Sequence, residues 1–176
     1  MMYADPHAWA TLLNWCADVS GALLRAQIEA GASVAQLHEP GLGALSRRDY
    51  QRRVAPHAKR AIDALRGLDA PRVHSGEGAG EVLDLLAGVG ANAVGVDRRL
   101  PLDVASERLG GGVPVQGNLD PALLFAPVTT LRAHIDDVID RGRDAPAHIV
   151  TLGGALPDEA DPDVLTRIAE YVHGRA

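Results

Sequence analysis

The sequence has little cysteine, few aromatic rings and almost no lysine. Its one cysteine, Cys16, excludes an internal disulfide framework and a cysteine zinc cluster. Aromatic residues make up 3% of the 176 residues, too few for the stacking platforms of single-strand nucleic-acid binders. Acidic residues outnumber basic ones, 23 to 17, for a formal charge of −6. A general nucleic-acid binder needs the opposite balance to offset phosphate. Lys59 is the only lysine, a compositional bias rather than a chemical signal. No apolar run approaches the roughly 18 residues of a membrane span. The opening residues, MMYADPHAW, lack the basic start and apolar stretch of a signal peptide. The expectation is a cytoplasmic protein that engages neither nucleic acid nor membrane.

What is present suits a packed core. At 47% hydrophobic and 23% charged, the chain is not a disordered one. No Pro/Gly/Ser linker divides it, so a single domain over residues 1–176 is expected.

Helix and strand signals alternate along the chain. Asp5-Pro6 reads as an N-cap followed by proline at the first helical position, and Leu12, Leu13, Val19, Leu23, Leu24 and Ile28 follow at helical spacing up to Gly31. A short apolar segment, Val34 to Leu37, comes next. Ser46 caps a second helix expected to reach Arg66, with Asp49 placed as in a capping box. Further strands are expected at Arg72–His74, Ala93–Val96, Val113–Gln116 and His148–Leu152. Helices are expected at Glu81–Ala87 and Leu102–Leu109, up to Arg141, and after the caps Asp120-Pro121 and Asp161-Pro162. Strands separated by helices imply parallel pairing. The fold class is therefore α/β with about five parallel strands.

Ligands of parallel α/β folds sit at the C-terminal strand ends. Those ends are His38-Glu39-Pro40, His74-Ser75-Gly76, Asp97-Arg98-Arg99, Gln116-Gly117-Asn118 and Leu152-Gly153-Gly154. The block VHSGEGAGEVLDLLAGVGANAVGVD runs strand, glycine loop, helix, strand and acid. That layout suits a nucleotide or S-adenosylmethionine, with Asp97 on ribose; it equally suits a plain strand-to-helix turn. Asp97-Arg98-Arg99 offers a carboxylate clamp or a pair that orders its own loop. His38-Glu39 offers an acid–base or metal pair, but no ligand spacing among the seven histidines supports a metal. No Ser/His/Asp or Cys/His nucleophile arrangement can be read.

Several blocks together resemble the C-terminal half of uroporphyrinogen decarboxylases. They are AQIEAGASVAQLHEPGLGALSRRDYQRRVAPH, VHSGEGAGEVL, GANAVGVDRRLPLD, VQGNLDPALLFAP and DPDVLTRIAEYVH, in the family's order. Gln116-Gly117-Asn118-Leu119-Asp120-Pro121 reads almost as the family's own signature. The resemblance implies half of a (β/α)8, TIM-type barrel, hence a partial barrel or open twisted sheet with outer helices. It implies decarboxylation of the acetate side chains of uroporphyrinogen to coproporphyrinogen, in porphyrin and haem biosynthesis. It implies no metal or organic cofactor, a porphyrinogen partner, and a homodimer or a complementing N-terminal half. The family's N-terminal half, with its arginine-rich loop, pyrrole-binding aspartate and substrate-contacting tyrosine, has no counterpart here.

Two family site positions differ in this chain. Pro40 stands where the family has a substrate-contacting serine or threonine. Leu152-Gly153-Gly154 stands where the family has a Leu-Gly-His-Gly motif whose histidine contacts substrate. No catalytic residue of the family can therefore be assigned. Strand-end topology makes His74, Asp97, Arg98, Gln116 and Asn118 the substrate-binding candidates. The expected activity alone is absent or strongly impaired. A non-catalytic porphyrinogen- or decarboxylase-binding fragment and a methyltransferase using S-adenosylmethionine are the alternatives.

Overall fold

Asp-Pro pairs start three of the local elements by one mechanism. Asp5 accepts from the Ala8 amide at 2.9 Å and opens α1 (Pro6–Glu29). Asp120 accepts from the Ala122 amide at 3.0 Å and opens a single 3-10 turn, Pro121–Phe125. Asp161 accepts from the Asp163 amide at 3.0 Å and opens α7 (Pro162–His173). In each case the side chain satisfies a first-turn N–H, and proline occupies a position that needs no donor. Between them lie β1 (Ala35–Glu39), α2 (Arg47–Arg53), α3 (Ala55–Asp63), β2 (Arg72–Gly76), α4 (Leu83–Gly88), β3 (Ala93–Gly95), α5 (Leu102–Arg108), β4 (Val115–Leu119), α6 (Val128–Gly142) and β5 (His148–Leu152).

The structure, a computed structural model, describes residues 1–175; Ala176, the last residue of the expected domain, lies outside the described residues. The strands form one five-stranded sheet in the order β1-β2-β3-β4-β5. β1 and β2 run parallel, as do β4 and β5, with Leu37 opposite His74, His38 opposite Ser75 and Gly117 opposite Val150. The α/β class with five strands and intervening helices holds.

Two compact units divide the chain, the first Met1–Val94 and the second from Gly95 onward. In the first unit, Leu24 of α1, Ala35 of β1 and Leu65 pack together, joined by Ile28, Leu37 and Leu68. Ala58, Ile62 and Val89 form a second cluster that also takes Leu37. Ala35 and Leu37 thus face the helices, and Gln36 and His38 lie on the other face, because strand side chains alternate. In the second unit Val115, Leu119, Leu102, Ala105 and Ile135 are buried at 1% exposure or less.

Several element boundaries shift from the sequence expectation: β1 and β2 run on to Glu39 and Gly76, past the expected ends at Leu37 and His74, and two further differences are larger. The helix from Ser46 breaks at Val54 into α2 and α3. Pro56 is the cause: it has no N–H to give the preceding turn and its ring crowds that turn's carbonyl. The fourth strand begins later and runs further, so Gln116, Gly117 and Asn118 lie inside β4 rather than beyond its end.

Candidate functional site

Polar groups of the second unit gather around the turn that follows β3. Asp97 begins it. Its Oδ1 accepts from the Arg99 amide at 2.9 Å and its Oδ2 from Arg99 Nη2 at 3.0 Å, so this Asp–Arg pair orders its own loop. Asn118, 8% exposed, donates from Nδ2 to the carbonyls of Asp97 at 3.0 Å and Leu100 at 2.6 Å. Both of its amide hydrogens are thereby committed to the turn. Gln116 is half-buried in β4, and its carbonyl accepts from the Val96 amide at 2.8 Å.

Arg98 is an exposed cation of this group, as Arg99 is. Its amide donates to the Gly153 carbonyl at 3.0 Å, and the Gly153 amide donates to Leu119 at 2.7 Å. Its guanidinium lies 3.7 Å from Asp120, with both side chains nearly half exposed. The Gly153-Gly154 turn is shaped around it. A Cβ at 153 would stand 2.5 Å from the Arg98 amide nitrogen and 2.9 Å from the Asn118 carbonyl. A Cβ at 154 would stand 2.7 Å from Arg98 Nη1. The first obstacle is backbone and fixed; the second is the end of a mobile side chain. The strand-end space at 154 is thus filled by arginine.

The first unit holds His74, and its surroundings are different. His74 is fully buried in β2 and faces the helices. Its Nδ1 lies 3.1 Å from the Leu86 carbonyl. Its Nε2 lies 2.8 Å from Glu39 Oε2, which also accepts from the Tyr50 hydroxyl at 2.9 Å. Burial, then the Glu39 charge and its hydrogen bond, push the Tyr50 hydroxyl well above its usual range. Glu39 is the half-exposed end of this buried network, at 18% exposure. Sequence reading paired Glu39 with its neighbour His38; the structure pairs it with His74 and Tyr50.

The other face of the same two strands carries a separate cluster. Gln36 Nε2 donates to Ser75 Oγ at 3.0 Å, and His38 Nδ1 lies 2.9 Å from that oxygen. Alternation along β1 was the one signal that could have found it. Pro40 follows in the turn after β1 and is exposed. Gly76, the first glycine of the glycine loop, has a packing reason: a Cβ there would meet the Leu42 side chain, and the Glu39 carbonyl at 2.7 Å. Among the described residues no group of three or more His, Cys, Asp or Glu could hold a metal ion. No helix of the described residues is long and apolar enough to cross a membrane.

Comparison with known proteins follows the same lines. A family profile described as uroporphyrinogen decarboxylase (URO-D) matches residues 1–175. The uroporphyrinogen decarboxylase of Arthrobacter sp. (strain FB24) is 54% identical over 173 residues, which are 98% of this chain and 50% of that protein. That of Streptomyces coelicolor is 46% identical, covering 98% of this chain and 49% of the relative. The chain therefore spans about half the length of the curated relatives it matches. Among solved structures, a methyltransferase from Methanosarcina mazei aligns with a TM-score of 0.68 at 18% identity, over 89% of this chain and 47% of that one. At that identity the likeness is one of fold.

Proposed function

The chain belongs to the uroporphyrinogen decarboxylase family, and from that premise we propose that it is one family domain that binds porphyrinogen but does not turn it over alone. It stands for the C-terminal half of the family barrel. The reaction it would serve is the family's: loss of the acetate carboxyl groups of uroporphyrinogen, giving coproporphyrinogen. Its partners would be that substrate and either a second copy or a complementing N-terminal half, in the cytoplasm. Arg98 would meet a substrate carboxylate at the mouth of the second unit, with Asp97 and Asn118 holding the turn that presents it.

The observation that carries this reading is the turn after β5. Where the family places an imidazole, this chain has Gly153 and Gly154, and the space at 154 is taken by the Arg98 guanidinium. A guanidinium pairs with a carboxylate through parallel N–H donors but stays charged at any ordinary pH. It holds a carboxylate and moves no proton. A carboxylate contact is kept and the family's substrate-contacting imidazole is lost.

The test is anaerobic. Uroporphyrinogen binding is followed by tyrosine and tryptophan fluorescence, and products are separated by carboxyl number. The chain alone should bind and give no less-carboxylated product. Arg98→Ala should weaken binding about fivefold, the lower end for a charged hydrogen bond because the group is half exposed. Adding the other half of the Arthrobacter relative should give product only slowly, because the imidazole missing at Gly153-Gly154 is not restored. Turnover by the chain alone overturns the impairment; absence of binding overturns the porphyrinogen reading.

A further inference from the structure

We infer a ligand site between α6 and α7 of the second unit that takes an unbranched alkyl chain ending in a carboxylate, as a free fatty acid does. The alkyl chain lies in an aliphatic cavity and its head meets Arg132 and Arg167 at the rim. No strand residue lines this cavity, so it is separate from the strand-end candidates, and the inference does not rest on the porphyrinogen reading.

Helical spacing builds the cavity. Leu131 and Ile135 lie one turn apart on α6, and Val164 and Ile168 one turn apart on α7, so each helix turns a pair of aliphatic side chains to the same space. Leu124, from the turn after β4, lines it as well. The space measures about 650 Å³, within the roughly 300–1,000 Å³ of small-molecule sites. Tyr171, the aromatic of the lining, has Arg132 over its ring at 5.1 Å and Arg175 at 5.5 Å. What remains for a ligand body is aliphatic surface, which a flexible alkyl chain can follow and which offers a polar ligand no hydrogen bond.

The rim sets the sign of the head group. Arg132 is exposed, and among the described residues it makes no hydrogen bond or ion pair. Stacking over Tyr171 holds its guanidinium by the face and leaves the in-plane N–H donors for a ligand. Asp136, one turn further along α6, is committed elsewhere: it accepts from Arg175 Nε at 2.9 Å and from the Tyr171 hydroxyl at 3.1 Å. Arg167 reaches Asp161 only at 3.8 Å, with the two side chains 59% and 60% exposed. Glu170 is the one carboxylate of the lining, against the two guanidinium groups of Arg132 and Arg167. A guanidinium matches both oxygens of a carboxylate with parallel N–H groups. A cationic rim over an aliphatic floor thus selects an anionic amphiphile over a neutral or cationic one.

The experiment uses the full chain with Ile, Leu and Val methyl groups labelled by 13C. It is titrated with decanoate below the micelle concentration and, separately, with octanoate, decanol and decylammonium. The expected result is a saturable shift of the Leu131, Ile135 and Ile168 methyl signals with decanoate. Octanoate should bind about tenfold more weakly, the effect of two buried methylenes. Decanol should shift the same methyls at about fivefold lower affinity, and decylammonium should bind more weakly still. Arg132→Gln, an exposed change, should weaken decanoate about fivefold, in keeping with one lost charged hydrogen bond, and leave decanol unchanged. Glu170→Gln should tighten decanoate about twofold, and Arg98→Ala should leave it unaltered. No saturable shift, equal affinity for decanoate and decylammonium, or unchanged decanoate affinity in Arg132→Gln overturns the site. Shifts spread equally over Leu24 and Ile62 of the first unit show detergent-like adsorption and overturn it as well.

Discussion

Replacing Tyr50 by phenylalanine removes one hydroxyl from a fully buried ring and leaves its shape. Tyr50 is 0% exposed, so no water replaces the lost donor. Glu39 Oε2 then keeps one partner, His74 Nε2 at 2.8 Å. A hydrogen bond to a charged acceptor is worth about 1.5–3 kcal/mol. Phenylalanine is the more readily buried ring and recovers part of that, so a net loss of about 1–2 kcal/mol is expected. In a chain of this size that is a fall in melting temperature of about 2–8 °C. His74→Leu should cost more, about 3–5 kcal/mol, because it strips a buried partner from Glu39 and also frees the Leu86 carbonyl. Both substitutions act on Glu39, so their effects should not add. Urea and thermal unfolding followed by circular dichroism measure the two single variants and the double variant that combines them. An alkaline arm tests the same network. The hydroxyl's folded pKa lies above its unfolded value of 10.0. The folded chain therefore holds the proton more tightly, and stability from this group is complete below pH 10 and lost as pH rises beyond it. Tyr50→Phe should remove that alkaline loss. If Tyr50→Phe melts at or above the parent temperature and the alkaline slope is unchanged, Glu39 is not held as described.

The Gly153-Gly154 turn gives a paired prediction. Gly153→Ala meets fixed backbone at 2.5 Å and should lower stability by about 1–3 kcal/mol, whereas Gly154→Ala only displaces the Arg98 guanidinium and should leave unfolding nearly unchanged. Equal effects at the two positions would refute the distinction between backbone and side-chain obstacles. Asp161→Ala should cost about 1 kcal/mol by freeing the Asp163 amide at the start of α7, read as loss of helical ellipticity and a lower urea midpoint.

Much of the fold was legible because its signals are local. Asp5, Ser46, Asp120 and Asp161 cap the elements they were expected to cap, since a cap involves residues two or three apart. The break at Val54 is marked in the sequence by Pro56, which the helix expected to reach Arg66 ran through. β4 was expected to end at Gln116 but reaches Leu119. In the folded chain Gly117 takes a φ of +146° and a Cβ there would stand 2.6 Å from the Val96 carbonyl, so the strand continues through it. The site was less legible. Strand-end topology named Asp97, Arg98 and Asn118, and the structure places Asp97 and Arg98 in one turn that Asn118 braces from β4. His74 was found for the same reason, yet it is buried behind Glu39, a partner 35 residues away that no spacing rule connects to it. Tyr50 was missed altogether, because nothing local marks a tyrosine whose hydroxyl reaches back to the end of a preceding strand.

The sequential order of the strands has a consequence in time. Ala35 pairs with Arg72 and Val115 with His148, so each strand of these pairs finds its partner one helical excursion later. At a synthesis rate of about 5–20 residues per second, the partner strand emerges roughly 2–7 s after the first, long after a helix has had its microsecond to form. Each pairing can then close on a helix already made, and β1 need not wait for the last residues of the chain. A ribosome that pauses between β3 and β4 would leave a first unit with its own clusters, Leu24–Ala35–Leu65 and Ala58–Ile62–Val89, already complete.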